Sequence, residues 1–323
     1  MKNSSTWKLI DDSLTKGIGV LLLYVLESSG SSPGRQGFFM AVNANGEMEG
    51  SIGGGIMEHK FVEMAKERLR EQEIREQEIR KQYHDKSVAR NQSGMICSGE
   101  QTILLYHLQP GDAVTIQSII QSLEQNKNGT LHLSPSGLNF SSTVADQDFH
   151  FIMHSENEWE YVEKTGYKNQ LFIIGGGHCS LAFSKLMRSL DFYIRLYDDR
   201  KDLKTVQAND YAHEKYFIDD YSQLNKLITS GSDHYVVIMT FGYRTDDIAL
   251  RSLWDKEFKY LGLLGSANKT QKMFDEYRKE GVAESILKKI YAPVGLLIKS
   301  QTPEEIAVSI AAEIIQVKNQ AIS

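Results

Sequence analysis

The hydrophobic pattern of the chain runs in two regimes. Up to about residue 165 it is mixed: a helical repeat over residues 5–16, a strongly apolar strand over 19–26, and a hairpin of 38–42 and 47–52 closed at Asn45-Gly46. A helix follows from about residue 56, carrying Met57, Phe61, Met64 and Leu69 on its apolar positions. A strand over 102–107, a helix over 112–125 and several polar strands complete this half. From residue 170 the pattern becomes regular. Apolar runs at 170–174, 192–197, 215–218, 234–241 and 259–264 alternate with helical repeats at 181–190, 246–258 and 267–279. A near-continuous run such as HYVVIMTF is that of a parallel strand covered on both faces, and its alternation with helices implies a doubly wound sheet. A last helix is announced by Thr302 as cap, Pro303 at its first position and Glu304 and Glu305 in its first turn. The predicted fold is α/β, with an N-terminal mixed α/β domain over residues 1–165. A C-terminal Rossmann-like parallel-sheet domain over residues 166–323 is closed by that helix.

Two glycine triplets stand where a strand-like run gives way to a helix-like one. They are Gly53, Gly54 and Gly55 in SIGGGIMEHK, and Gly175, Gly176 and Gly177 in FIIGGGHCSLAF. At such junctions the backbone can approach a ligand closely, and the free N–H groups of the first helical turn favour an anion. The second triplet has the context of a dinucleotide fingerprint. Gly175 and Gly177 fill the first two places of G-x-G-x-x-G and the small Ser180 takes the third. Asp198 ends the next strand about 20 residues on, where a carboxylate can accept from a ribose hydroxyl. Asp199 and Arg200 follow, and the order of acid then arginine leans toward a ribose without a phosphate.

Composition narrows the classes. A chain of 323 residues with 41% apolar content can bury two cores. A net charge of −6, with basic residues interleaved among acids, argues against nucleic acid as a partner. No apolar run approaches the roughly 20 residues of a membrane helix, and the start MKNSSTWK lacks the plan of a signal peptide, so a cytoplasmic location without a membrane is the expectation. Two cysteines, Cys97 and Cys179, without C-x-x-C spacing, indicate neither a disulfide framework nor a structural zinc. The loop SSGSSPGRQG is rich in small residues around one long cation, Arg35, which suits a ligand-covering segment. Cys97, between Gly94 and Gly99 at the mouth of a strand, reads either as a small buried hydrophobe or as a functional thiolate. Glu58, in the turn after Gly55, either orients a ligand or complements the helix dipole. The duplication REQEIREQEI over 70–79 reads as a solvated helix or strand edge.

Taken in order, GSSPGRQG, GSIGGGIMEHK, the isolated Cys97, GGGHCSLAF followed by YDDR, and APVGLLIKSQTPEEIAVSIAAEI resemble the XdhC/CoxI family, accessory factors of molybdenum hydroxylases such as xanthine dehydrogenase. The resemblance spans nearly the whole chain. It implies a chaperone without turnover of its own. Such a protein binds molybdenum cofactor, as molybdopterin or its dinucleotide form, presents it for sulfuration by a cysteine desulfurase, and inserts it into an apo molybdenum hydroxylase. On that basis Gly53, Gly54 and Gly55 would cradle an oxyanion, Arg35 would fork a phosphate, Glu58 would orient the ligand and Cys97 would ligate molybdenum. Gly175, Gly176, Gly177, His178 and Asp198 would hold a nucleotide, either the cofactor's own tail or NAD. A homodimer is the expected assembly. The chain departs from the family's usual Cys-Gly-Gly in having Cys97-Ser98-Gly99. Two other readings stay open. One is an NAD(P)-dependent oxidoreductase, although its Tyr-x-x-x-Lys patterns, Tyr197 with Lys201 and Tyr211 with Lys215, come early after the glycines. The other is a nucleotide-sensing module without catalysis.

Overall fold

The structure is a computed structural model, and it describes residues 4–71, 76–83 and 99–320. The chain divides into two compact units, Met1–Gly166 and Tyr167–Ser323. In the first, α1 (Ser4–Thr15) leads into β1 (Val20–Gly30), the hairpin of β2 (Phe39–Asn43) and β3 (Met48–Gly50), α2 (Gly55–Glu71), β4 (Gln77–Tyr83) and β5 (Gly99–His107). Then come α3 (Ala113–Glu124), β6 (Gly129–Ser134), β7 (Gly137–Ser141), β8 (Phe149–Ser155) and β9 (Glu158–Thr165). These strands form an antiparallel sheet in the order β3-β2-β1-β5-β4 and a second one in the order β7-β6-β9-β8.

β1 is apolar on both alternations because both of its faces are covered. Leu21, Leu23 and Val25 pack with Met57, Phe61 and Ala65 of α2. Leu22, Tyr24 and Leu26 pack with α1, α3 and the second sheet through Ile10, Ile116, Leu131 and Tyr161. The buried Glu163 accepts from the hydroxyls of Tyr24 (2.6 Å) and Tyr161 (2.7 Å), which joins the two sheets of this unit. β1 also runs past residue 26, because Glu27 to Gly30 pair with Thr102 to Gly99 of β5 beyond a bulge. The duplicated segment is divided. Arg70 and Glu71 close α2, while Gln77, Glu78 and Ile79 lie in β4 at the sheet edge.

The second unit is a six-stranded parallel sheet in the order β12-β11-β10-β13-β14-β15. Its elements are β10 (Asn169–Ile174), α4 (His178–Ser189), β11 (Phe192–Asp198), α5 (Lys204–Gln207), β12 (Glu214–Phe217), α6 (Leu224–Leu227) and β13 (Gly231–Ile238). They continue with α7 (Tyr243–Arg251), β14 (Phe258–Leu263), α8 (Ala267–Lys279), α9 (Glu284–Leu287), β15 (Ile290–Tyr291) and α10 (Pro303–Asn319). The chain builds outward from β10 through β11 to β12, then crosses back to β13, so the strand order reverses between β10 and β13. One face buries Leu171, Ile173 and Val237 under α4 and α10, and the other buries Phe172, Ile174 and Val236 under α6, α7, α8 and α9.

Among the boundaries that differ from the sequence reading, two lie at the end of β13 and in the helix after it. The run HYVVIMTF does not remain a strand to Phe241, since β13 ends at Ile238. Thr240 turns the chain by giving its N–H (3.1 Å) and its hydroxyl (2.6 Å) to Oδ1 of the buried Asp246. The helix expected over 246–258 is α7, which starts earlier at Tyr243 behind Gly242 and ends at Arg251. Among the described residues no helix is long and apolar enough to cross a membrane.

Candidate functional site

In the first unit three segments meet at one end of the five-stranded sheet: the loop after β1, the turn between β3 and α2, and the start of β5. Their backbones touch with no room for side chains. A Cβ on Gly34 would lie 2.0 Å from the Ile52 carbonyl oxygen, one on Gly53 2.4 Å from the Gly34 nitrogen, and one on Gly99 2.5 Å from the Ser32 nitrogen. Gln101, fully buried in β5, pins the assembly by donating from Nε2 to the carbonyls of Gly34 (3.1 Å) and Ile52 (3.2 Å). Gly53, Gly54 and Gly55 have φ of +131°, +75° and +70°, which only glycine adopts readily, and they curl the amides of the turn inward.

A carboxylate already occupies that curl. Glu58 Oε2 accepts from the Ser51 hydroxyl (2.7 Å) and from the N–H groups of Ile52 (2.9 Å) and Gly54 (2.9 Å). Partial burial raises its pKa, but these bonds outweigh it and hold the carboxyl below its usual range. Glu58 is therefore the anion in the glycine cradle. What stays open beside it is the outer side of Gly54, where a Cβ would meet nothing within 4 Å, and the exposed Arg35, whose guanidinium donates to the Gly30 carbonyl at 3.0 Å. A cavity of about 190 Å³ lies between α2 and β4, with Met57, Phe61 and Met64 on its walls beside Lys60, Arg80 and Lys81. Cys97, the expected molybdenum ligand, lies outside the described residues. Among the described residues no group of three or more His, Cys, Asp and Glu side chains is placed to hold a metal ion.

In the second unit the turn after β10 sits at the switch in strand order. Gly175 has φ of +107°, and a Cβ there would lie 2.4 Å from the Met239 carbonyl oxygen; at Gly176 it would lie 2.0 Å from Val206 Cγ2. Gly177 alone faces open space, as a backbone approached by a ligand would. His178 is exposed at the start of α4. Burial pushes the Cys179 thiol up, so it packs as a neutral group against the core. Asp198 is buried, and all four of its hydrogen bonds are made within the chain. Oδ2 accepts from Gly176 N–H (2.6 Å) and Arg200 Nη2 (2.8 Å), and Oδ1 from the N–H (2.8 Å) and Nε (2.9 Å) of Arg200. Despite its burial, these bonds hold the carboxyl below its usual range. The group presented outward at this position is thus a guanidinium, with the exposed Asp199 beside it. Tyr197 is buried and stacked on Tyr216 at 4.9 Å, and burial raises its phenol well above the usual range, which removes it as a proton donor to a carbonyl.

The structure thus gathers Arg35, the first triplet and Glu58 in one unit, and the second triplet, His178 and Asp198 in the other. Sequence reasoning missed Gln101, which lies between Glu100 and Thr102 just ahead of the apolar run read as the strand over 102–107.

Comparison with known proteins agrees with this architecture. Residues 13–80 match the XdhC and CoxI family, and residues 171–314 match the XdhC Rossmann domain. The chain is 26% identical over 300 residues to the uncharacterized protein YqeB of Escherichia coli (strain K12), covering 92% of this chain and 43% of that protein. It is 28% identical over 160 residues to a probable xanthine dehydrogenase subunit of Bacillus subtilis (strain 168), covering 50% of this chain and 46% of that protein. The chain thus spans less than half the length of these two curated relatives. A crystal structure of a xanthine dehydrogenase from Bacillus halodurans superposes with a TM-score of 0.71 at 22% identity, over 99% of this chain and 96% of that one, which shows a shared fold. With both of its units matched, this chain belongs to the XdhC and CoxI family.

Proposed function

We propose that this chain is an accessory factor in the maturation of a molybdenum hydroxylase such as xanthine dehydrogenase. In this reading the first unit binds molybdenum cofactor, presents it for sulfuration by a cysteine desulfurase, and releases it to the apo-hydroxylase. The observation that carries the reading is the backbone-to-backbone convergence of the Arg35 loop, the Gly53 to Gly55 turn and the start of β5 at Gly99, two positions after Cys97 in the sequence. An exposed guanidinium and an open glycine backbone fit a phosphate. The nearby cavity, apolar with cations beside it, fits a planar ring carrying anionic groups. The amides of Ile52 and Gly54 do not fit an oxyanion while Glu58 holds them. When bound, the cofactor supplies the metal-oxo chemistry. The chain's own part is to hold the phosphate and to expose the metal end.

The test is mass spectrometry of molybdenum and released pterin on protein purified from cells that make molybdopterin. Retention in the wild type, reduced in Cys97→Ala and in Arg35→Ala at unchanged melting temperature, is the expected result. Absence of both molybdenum and pterin from the wild type overturns the reading. Turnover of carbonyl substrates with NADH would replace it by the oxidoreductase reading.

A further inference from the structure

Among the described residues, five of the sixteen large apolar side chains left exposed lie within residues 296–315, and their clustering, more than any one of them, asks for an account. Three are on the loop before α10: Leu296 and Ile298 are partly exposed and Leu297 is fully so. Two are on α10 itself, Val308 at 51% and Ile315 at 37% exposure. The helix buries Ala307, Ile310, Ala311, Ile314 and Val317 beneath it. Val308 and Ile315, seven residues apart, therefore share the opposite side, with the small Ala312 between them. The loop is pinned to the flank of the helix. Gly295 N–H donates to Glu313 at 2.9 Å, Leu296 N–H to the Ser309 carbonyl at 3.2 Å, and the Ser309 hydroxyl to the Leu296 carbonyl at 2.7 Å. Gly295 has φ of +97°, and a Cβ there would lie 2.3 Å from Ser309 Oγ. Leu297 is thus a rigid apolar knob on the flank of α10, next to the row of Val308, Ala312 and Ile315.

Area and charge select a second copy of the chain as the occupant of this face. The exposed fractions amount to roughly 500 Å² of mostly apolar surface, close to the apolar two-thirds of the about 800 Å² that each partner of a homodimer buries. The two ends of the helix carry opposite charge, with Glu304 exposed in the first turn and Lys318 in the last. A two-fold axis crossing α10 between Ala311 and Ala312 runs two copies of the helix antiparallel and sets Val308 against the partner's Ile315. The same register brings Glu304 within one residue of the partner's Lys318 and opposes the two helix dipoles. It also carries both Leu297 knobs to one side of the helix pair, where they meet. An isologous contact requires a patch complementary to itself, and this one is.

We propose that the outer face of α10, together with residues 296–298, is the homodimer interface of this chain, an antiparallel contact of α10 with its own copy. The proposal stands or falls apart from what either unit binds. Sedimentation equilibrium of the full chain tests it. The expected result is a wild type of twice the chain mass at micromolar concentration. Leu297→Asp should raise the dimer dissociation constant at least about 30-fold, the scale of one central interface residue. The charge pair supplies a second measurement. Glu304→Lys and Lys318→Glu should each weaken the dimer about tenfold by setting like charges together, and the double variant should regain the wild-type constant. Circular dichroism melts of the variants establish that each is folded, and the charge swap decides the matter where Leu297→Asp is not. A monomeric wild type overturns the proposal and leaves the face to a different protein. A folded Leu297→Asp chain that stays dimeric overturns it by putting the interface elsewhere. Further weakening in the double variant, without recovery, overturns the antiparallel pairing.

Discussion

Three donors converge on one oxygen of Glu58, and removing that oxygen leaves a hydroxyl and two backbone amides to find water in a closely packed turn. Glu58→Ala should therefore cost about 1–3 kcal/mol in denaturant melts. The pH dependence has a definite sign. Because the folded-state pKa is depressed, the stabilisation is present above the usual carboxylate range of about 4.3 and fades as pH falls through the lower folded value. Glu58→Gln should flatten the loss of stability on the acid side, and an unchanged acid limb would show that the carboxylate contributes nothing. The sequence displayed Glu58 and left its role open for a physical reason. Which atom meets an amide here depends on three successive positive φ angles, and no spacing rule reports them. Asp198 was legible by position, at the end of the second strand. Its bonding to Arg200 was not, because the two are separated by a single residue and their pairing depends on how the loop turns.

Elements were most legible where burial was symmetric. The strands of the second unit read as apolar runs because helices cover both faces, and β1 did so for the same reason in an antiparallel sheet. Their ends were less legible, since Thr240 and Phe241 continue the apolar composition of β13 and the break comes from Asp246, six residues after Thr240. The cap of α10 was readable, and Thr302 accepts from Glu305 N–H at 3.2 Å. Thr302→Ala should cost about 1 kcal/mol by thermal or denaturant melting. At the base of β12, His213 Nδ1 accepts from Ile194 N–H (2.9 Å), so the proton resides on Nε2, facing the Tyr167 hydroxyl at 2.6 Å. Burial, with Arg188 nearby, brings its pKa down to about 3. The neutral ring's contribution is complete above the unfolded value of about 6.5 and is lost as pH falls toward 3. Melts between pH 7 and 4 should decline for the wild type and decline less for His213→Gln; parallel curves would exclude this group as a source.

At the scale of the molecule, each unit has apolar clusters on both sides of its main sheet, built from its own residues. Residues 1–166 and 167–323 expressed separately should each unfold in a single cooperative transition, followed by circular dichroism. A fragment without a sigmoidal melt would show that its core is incomplete alone. The α/β class was legible from periodicity, whereas the strand order β3-β2-β1-β5-β4 was not, because it depends on β5 pairing with β1 across residues 31–98. That pairing brings Gly99 against Ser32 and makes the first glycine turn a junction of distant segments. One consequence concerns inheritance. Because Gly53 and Gly34 are required by each other's backbone, and the inward amides are filled by Glu58, a descendant that had lost every ligand would still be under pressure to keep the triplet. Persistence of those glycines among relatives records the geometry of a crossing, while the history of a ligand would be written in Arg35, whose side chain is exposed.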